Sequence, residues 1–207
     1  MPAPTTISLV RHGHIVNRDD VFHGRLPGFP LSQQGEEEAA AAAAFLRDQP
    51  VVAIYTSPMQ RARHTAEIIQ SAFDPLPPIQ VEPLLNEIYS PFDGYPRVEM
   101  AARDWDFYTG TDVEYEQPEE ILGRMLAFLQ RMRRRHNGEH VVGVSHADPL
   151  AFLWMWALGV PLSVDLRKEL DRYGLPDDYP ATASISTFRF NTVDLEERPA
   201  YEYTRPY

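Results

Sequence analysis

Residues 7–13 read Ile7-Ser8-Leu9-Val10-Arg11-His12-Gly13, and this stretch decides how the rest of the chain is organised. Its first four residues form a short, largely apolar run that stops at a charged and a titratable side chain. That is the pattern of a buried strand ending in a polar turn. The pattern recurs downstream: residues 51–55 run into Thr56-Ser57-Pro58, and residues 141–145 run into His146. Shorter strands are expected at Ile79–Val81 and Ile185–Phe190, with a polar tail after Asn191.

Helical stretches separate these strands. Ser32 is placed to cap a helix whose Glu36-Glu37-Glu38 run sits near the positive end, ahead of an alanine run. The Glu-Ala stretch reads as a solvated face with small residues packing behind it. Ser57-Pro58 is expected to open a second helix, to about residue 73, and an amphipathic helix is expected over 119–136. The cationic end of that third helix, with Arg131, Arg133, Arg134 and Arg135, suits its dipole. A fourth helix, about 149–158, is apolar on all sides and belongs in the core.

Alternating strands and helices predict an α/β fold, a three-layer sandwich with a mostly parallel central sheet flanked by helices. The 207 residues fit a single domain. Residues 89–118, with Pro91, Gly94, Pro96 and Gly110, form an irregular, aromatic and acidic insertion, expected to be a lid that can be partly helical. In such sheets ligands gather outside the carboxyl ends of the strands. Arg11-His12, Ser57 with the start of its helix, and Ser145-His146 should therefore converge on one edge.

Composition narrows the chemistry. Thirty acidic residues against 19 basic ones give a net charge of −11, which argues against nucleic acid and anionic membrane as partners. It would also disfavour a phosphorylated substrate, unless the arginines gather at one place. Lys168 is the single lysine, so 18 of the 19 basic residues are arginine. The absence of cysteine removes thiol nucleophiles, thiolate metal sites and disulfides, and fits a reducing compartment. The start of the chain, Met1-Pro2-Ala3-Pro4-Thr5, lacks the basic and apolar regions of a signal peptide, and the apolar run at 149–160 is too short to span a bilayer. A cytoplasmic protein is expected.

Two histidines with two nearby arginines point to phosphoryl chemistry. A neutral imidazole can attack phosphorus, and guanidinium forks match the spread negative charge of the transferring group. The leaving alkoxide needs a proton, which calls for a carboxylic acid in the pocket.

The ordered set Leu9-Val10-Arg11-His12-Gly13, Gly24-Arg25, Pro30-Leu31-Ser32 with Gly35, Thr56-Ser57-Pro58-Met59-Gln60-Arg61-Ala62 with Thr65-Ala66, Leu84-Leu85-Asn86-Glu87 and Val142-Gly143-Val144-Ser145-His146 resembles the histidine phosphatase superfamily, whose fold is shared with cofactor-dependent phosphoglycerate mutases. The resemblance implies a metal-free and cofactor-free phosphatase, and the aromatic, acidic lid suits small, partly apolar or sugar-like phosphomonoesters. The resemblance also implies His12 as the phospho-accepting nucleophile, Arg11 and Arg61 as phosphate arginines, and His146 as the second pocket histidine. Glu87 would be the acid-base group. Asn17 and Arg18 are both candidate phosphate contacts, because the loop from Arg11 is one residue shorter than the common pattern. Arg25 is the favoured substrate contact on its loop, ahead of His23.

Two departures from the pattern leave roles open. His14 stands where a carboxylate is common, and either touches substrate or sits in the pocket wall. Asp148 follows His146 by two positions, and either starts a helix or competes with Glu87 as proton donor. The alternatives are a phosphoglycerate mutase, a metal-dependent hydrolase using the His12-Gly-His14 and His146-Ala-Asp148 spacings, and a non-catalytic phosphate-binding module. Only Arg97 and Arg103 are basic within residues 89–118, few for a mutase, and Arg11 and Arg61 would repel a metal cation. The partner is then a small phosphorylated metabolite, and the protein a monomer or homodimer.

Overall fold

The computed structural model describes residues 3–112, 114–194 and 196–207. Met1 and Pro2 of the N-terminal stretch and Val113 of the expected lid lie outside the described residues. Six strands form one sheet: β1 (Thr5–Arg11), β2 (Val51–Thr56), β3 (Ile79–Val81), β4 (His140–Ser145), β5 (Ile185–Phe190) and β6 (Ala200–Thr204), in the order β3-β2-β4-β1-β5-β6. The four strands from β3 to β1 pair in parallel, while β5 and β6 add antiparallel at one side. The sheet is therefore mixed, with its parallel part carrying the carboxyl edge. The polar tail expected after Asn191 contains β6, an edge strand half-exposed or exposed at every position, whose Tyr201 and Tyr203 meet Trp154.

Among the described residues, α1 (Gln33–Leu46), α2 (Gln60–Gln70), α4 (Pro118–Arg135) and α5 (Ala147–Leu158) flank the sheet, and α3 (Arg97–Ala102) lies in the insertion at 89–118. Alternate strand residues serve the two faces, as the period of two requires. Val10, Ile54, Val142, Val144 and Ile185 pack toward Ala42, Ala43 and Leu46 of α1 and Ala62, Ala66 and Ile69 of α2. Ile7, Leu9, Ala53, Tyr55 and Val141 pack toward Met125 and Phe128 of α4 and Leu150 and Phe152 of α5. This makes three layers. The apolar α5 is buried at nearly every position, and Gly159 ends it with a φ of 71°, the left-handed conformation that glycine adopts without penalty.

Ser32 caps α1 by accepting from the Gly35 amide. The acidic run behind it divides: Glu36 and Glu37 are exposed, but Glu38 is buried and accepts from the His14 amide at 2.9 Å. The expected Ser57 cap of α2 is not used as one. The helix begins at Gln60 with Met59 in the capping position, and the Ser57 hydroxyl accepts from the Met59 amide at 3.3 Å while also meeting a histidine ring described below. Gly13 and Gly35 bring the nucleophile loop against the first turn of α1. A methyl group at Gly35 would lie 1.9 Å from the His14 carbonyl oxygen, and one at Gly13 would lie 2.3 Å from the Gly35 carbonyl oxygen, so only glycine fits either place.

The insertion at 89–118 holds α3 and is stitched to the loop after β1. Phe22 N donates to Tyr95 O, Arg97 N donates to Asp20 O, and Val21 bridges Pro96. Residues 160–184 follow α5 with two short 3₁₀ turns, Leu166–Lys168 and Leu170–Tyr173, and return to β5. Both segments help wall the cavity at the carboxyl edge.

Candidate active site

Strands β1 and β4 are parallel neighbours with Arg11 in register with Ser145, so both deliver a histidine to the same edge one residue later. The rings of His12 and His146 lie 5.1 Å apart. Beside them α2 contributes Arg61 from its first turn. Glu87 follows the 3₁₀ turn Pro83–Leu85. His12, Arg61, Glu87 and His146 are all buried.

Arg61 is the hub. Its Nε donates to His12 Nε2 at 3.2 Å, and its Nη2 lies 3.3 Å from Glu87 Oε2, 3.2 Å from His146 Nδ1 and 2.8 Å from the Gly24 carbonyl oxygen. His12 Nδ1 sits 2.8 Å from the Gly13 carbonyl oxygen, which needs a proton on Nδ1 and leaves the lone pair on Nε2, where it accepts from Arg61 Nε. The Gly13 amide is tied in turn to the Thr65 hydroxyl. His146 Nε2 lies 2.7 Å from Ser57 Oγ, which donates to Asn86 Oδ1. This chain of partners fixes the ring plane, since an oriented imidazole needs both nitrogens accounted for.

Burial holds His12 well below the usual imidazole range, and the neighbouring Arg61, His146 and Arg11 push in the same direction. His146 is lowered the same way, by burial first and then by Arg61 and Arg124. Both rings are therefore neutral near pH 7, the state in which Nε2 of His12 is a nucleophile. Glu87 is held from both sides: Oε1 accepts from the Ile88 amide and Oε2 faces Arg61 and His146.

A cavity of about 410 Å³ opens from this cluster. Arg11, His12, Glu87 and Asp148 line it together with Phe22, His23, Arg97, Trp105, Phe107, Arg167, Lys168, Asp178 and Tyr179. Arg11 donates from Nη1 to Pro180 O, while its Nε is buried with no partner among the described residues. Asp148 is the centre of a buried network. It accepts from Arg167 Nε at 3.1 Å and from Tyr108 OH at 2.5 Å, and Tyr179 OH also donates to it. Burial first, and then the Asp148 charge, push both phenols well above their usual value.

The structure brings His12, Arg11, Arg61, Glu87 and His146 together. It places the other candidate contacts elsewhere. Asn17 turns its amide to the Val21 backbone at 2.8 Å and pins the loop. Arg18 is exposed and does not line the cavity. Arg25 donates to the Glu87 carbonyl oxygen, pairs with Glu116 at 3.1 Å and does not line the cavity. His14 lies at the start of α1 with Nδ1 2.8 Å from Ser32 Oγ. His23, ranked below Arg25 from the sequence, lines the cavity with its neighbour Phe22, whereas Arg25 does not. Arg167, Lys168 and Tyr179 escaped the sequence reading because residues 160–184 carry no periodic pattern. The single lysine was the one signal that could have drawn attention there.

His12, Glu87 and His146 offer ligand atoms within 4.8 Å of one another, close enough to chelate a cation by distance alone. The Arg61 guanidinium contacts all three of these atoms. A fixed positive charge at the centre of the trio opposes a metal ion and suits an anion.

The chain matches the histidine phosphatase superfamily (branch 1) over residues 7–175. Protein Rv0525 of Mycobacterium tuberculosis is 36% identical over 176 residues, covering 81% of this chain and 86% of the relative. The adenosylcobalamin/alpha-ribazole phosphatase of Escherichia coli is 26% identical over 163 residues, 74% of this chain and 79% of that one. Among solved structures, YhfR of Bacillus stearothermophilus superposes with a TM-score of 0.72 at 26% identity, covering 89% of this chain and 90% of that chain. No described helix is long and apolar enough to cross a membrane.

Proposed function

We propose that this chain, which belongs to the histidine phosphatase superfamily, hydrolyses small phosphomonoesters in two steps through a phosphohistidine on His12. One observation carries the reading: a buried guanidinium touches the nucleophilic nitrogen, a carboxylate and a second histidine at once. Such a cluster is a cradle for a tetrahedral dianion with its attacking and proton-donating groups already placed.

In the first step the phosphoryl oxygens take over the Arg61 and Arg11 donors. The Nε2 lone pair of His12 attacks phosphorus, and the bond from phosphorus to the ester oxygen breaks. Glu87 in its acid form gives its proton to that oxygen, and the alcohol leaves. In the second step the Glu87 carboxylate takes a proton from water, whose oxygen attacks phosphorus and breaks the N–P bond. Inorganic phosphate departs and His12 is neutral again. Asp148 is saturated by Arg167, Tyr108 and Tyr179, which supports Glu87 as the proton donor. The phosphatase named among the relatives supports hydrolysis over mutase transfer. The cysteine-free composition fits work in a reducing cytoplasm.

Purified protein assayed with EDTA on a panel of phosphorylated metabolites, beside a mutase assay on 3-phosphoglycerate, tests this. Phosphate release that resists the chelator and vanishes in His12→Asn is expected. Turnover that survives His12→Asn overturns the assignment. Conversion of 3-phosphoglycerate to its isomer faster than phosphate release would make the protein a mutase.

A further inference from the structure

Beyond the phosphate cradle, the cavity wall is a sequence of rings in contact. His23 lies 6.3 Å from the His12 ring, and Phe22 lies 6.1 Å from His23. Phe107 stacks on Phe22 at 4.3 Å, Trp105 lies 6.4 Å from Phe107, and the Arg97 guanidinium sits 4.8 Å over the Trp105 ring. The nucleophile is thus joined to the rim of the cavity by an unbroken aromatic wall built from the loop after β1 and the 89–118 insertion.

Most polar side chains lining the same space already have partners, the exposed carboxylate of Asp178 being set apart. Arg167 and Tyr179 are bound to Asp148, Lys168 to Asp104, Arg97 to Asp20, and Glu87 to Arg61 and the Ile88 amide. His23 Nδ1 is the exception on the aromatic wall, buried and without a partner among the described residues. The wall therefore offers a leaving group one free hydrogen-bonding nitrogen and several ring faces. A polyol or sugar entering it would lose water from several hydroxyls and regain little. A planar ring would lose nothing and gain stacking contacts.

We infer that the leaving-group subsite selects phosphomonoesters whose alcohol carries an aromatic ring one or two bonds from the ester oxygen, in preference to glycerol and sugar phosphates. The inference rests on the phosphatase reading and names the substrate class of the same site. Phe22, His23, Trp105 and Phe107 would be the residues that set the preference.

The test compares benzyl phosphate with glycerol 3-phosphate and glucose 6-phosphate. All three leave as alkoxides, so the comparison reads the subsite and not the acidity of a phenol. A kcat/KM at least tenfold higher for benzyl phosphate is expected. Phe107→Leu and Trp105→Leu keep apolar bulk while removing the ring face, and each should lower the benzyl-to-glycerol ratio at least threefold. Inhibition by inorganic phosphate, which reads the cradle alone, should stay within twofold in both variants. Equal or better turnover of glycerol or glucose phosphate overturns the inference while leaving the phosphatase reading intact. So does a ratio unchanged in both variants once thermal melting shows them folded. Loss of all turnover in the parent protein would refute the phosphatase reading itself.

Discussion

Replacing Asp148 with alanine should destabilise the protein more than any other single change near the cavity. Asp148 is 3% exposed and Arg167 is 1% exposed, so the pair is largely desolvated although it borders the cavity. The substitution leaves a buried guanidinium without its counter-charge, at a cost of about 3–5 kcal/mol. It also removes the acceptor of the Tyr108 and Tyr179 hydroxyls, each about 1–3 kcal/mol if nothing replaces it. At roughly 2–4 °C per kcal/mol for a domain of this size, the charge effect alone lowers Tm by about 6–20 °C. Arg167→Met in the Asp148→Ala background removes the stranded charge while keeping apolar volume. The double variant should therefore be more stable than Asp148→Ala alone, with a coupling of about 2 kcal/mol or more in a double-mutant cycle. Urea unfolding followed by tryptophan fluorescence measures all four proteins. The reasoning is refuted if Asp148→Ala costs under about 1 kcal/mol, or if the double variant costs the sum of the singles.

The remaining predictions concern the site and its supports. Glu87→Gln should lower kcat on alkyl phosphates by about 10²–10⁴-fold, the ordinary worth of general acid-base catalysis. It should lower the first-step burst on p-nitrophenyl phosphate far less, because that leaving group needs no proton; equal losses on both esters would remove Glu87 from the acid role. Ser57→Ala strips His146 Nε2 of its partner at 2.7 Å and should cut kcat with little change in melting temperature, whereas unchanged kcat would show the ring is fixed by other contacts. Gly35→Ala would force the His12 loop off α1, so turnover should fall at least tenfold and Tm should drop; wild-type values in both would contradict the close approach. Burial lowers His23 to about 3 and His140 to about 4, while unfolded imidazoles titrate near 6.5. The unfolded chain thus binds more protons as pH falls below 6.5, so the stability from these groups is complete above that value. It is lost toward pH 4 at up to about 1.4 kcal/mol per pH unit for each histidine. Urea midpoints at pH 7 and pH 5 test this, and His140→Gln should flatten the slope by about one proton; stability flat between those pH values would contradict it.

The parallel strands and the residues at their carboxyl ends were legible in the sequence, because apolar runs that stop at Arg11-His12, Ser57 and Ser145-His146 mark both the strand and its edge. Packing in the third dimension hid the rest. Glu38 looks like its exposed neighbours, yet the turn of α1 directs it under the His14 amide. Ser57 has the sequence signature of a helix cap, yet α2 starts three residues later and the Ser57 hydroxyl is shared between the Met59 amide, His146 and Asn86. β6 is short and half-exposed or exposed throughout, so its Tyr201 and Tyr203, which alternate with Ala200, Glu202 and Thr204 and meet Trp154, are hidden within a tail that reads as polar. Arg25 and His23 sit two residues apart, and only the fold shows that the arginine backs onto Glu116 while the histidine faces the cavity. The excess of arginine is partly accounted for. Arg11 and Arg61 serve the site, while Arg124, Arg133 and Arg167 each bind backbone carbonyls and a carboxylate at once, which suits a planar fork better than an ammonium group.

Trapping the covalent intermediate tests the central claim most directly. Glu87→Gln protein, whose second step should be slowed for lack of a base, is mixed with p-nitrophenyl phosphate and quenched in alkali within milliseconds to seconds. Peptide mass spectrometry under non-acidic conditions should then find one phosphoryl group on His12, stable to base, labile to acid and absent from the His12→Asn, Glu87→Gln double variant. Phosphate on any other residue, or burst release of nitrophenol with no phosphorylated peptide, would contradict the account.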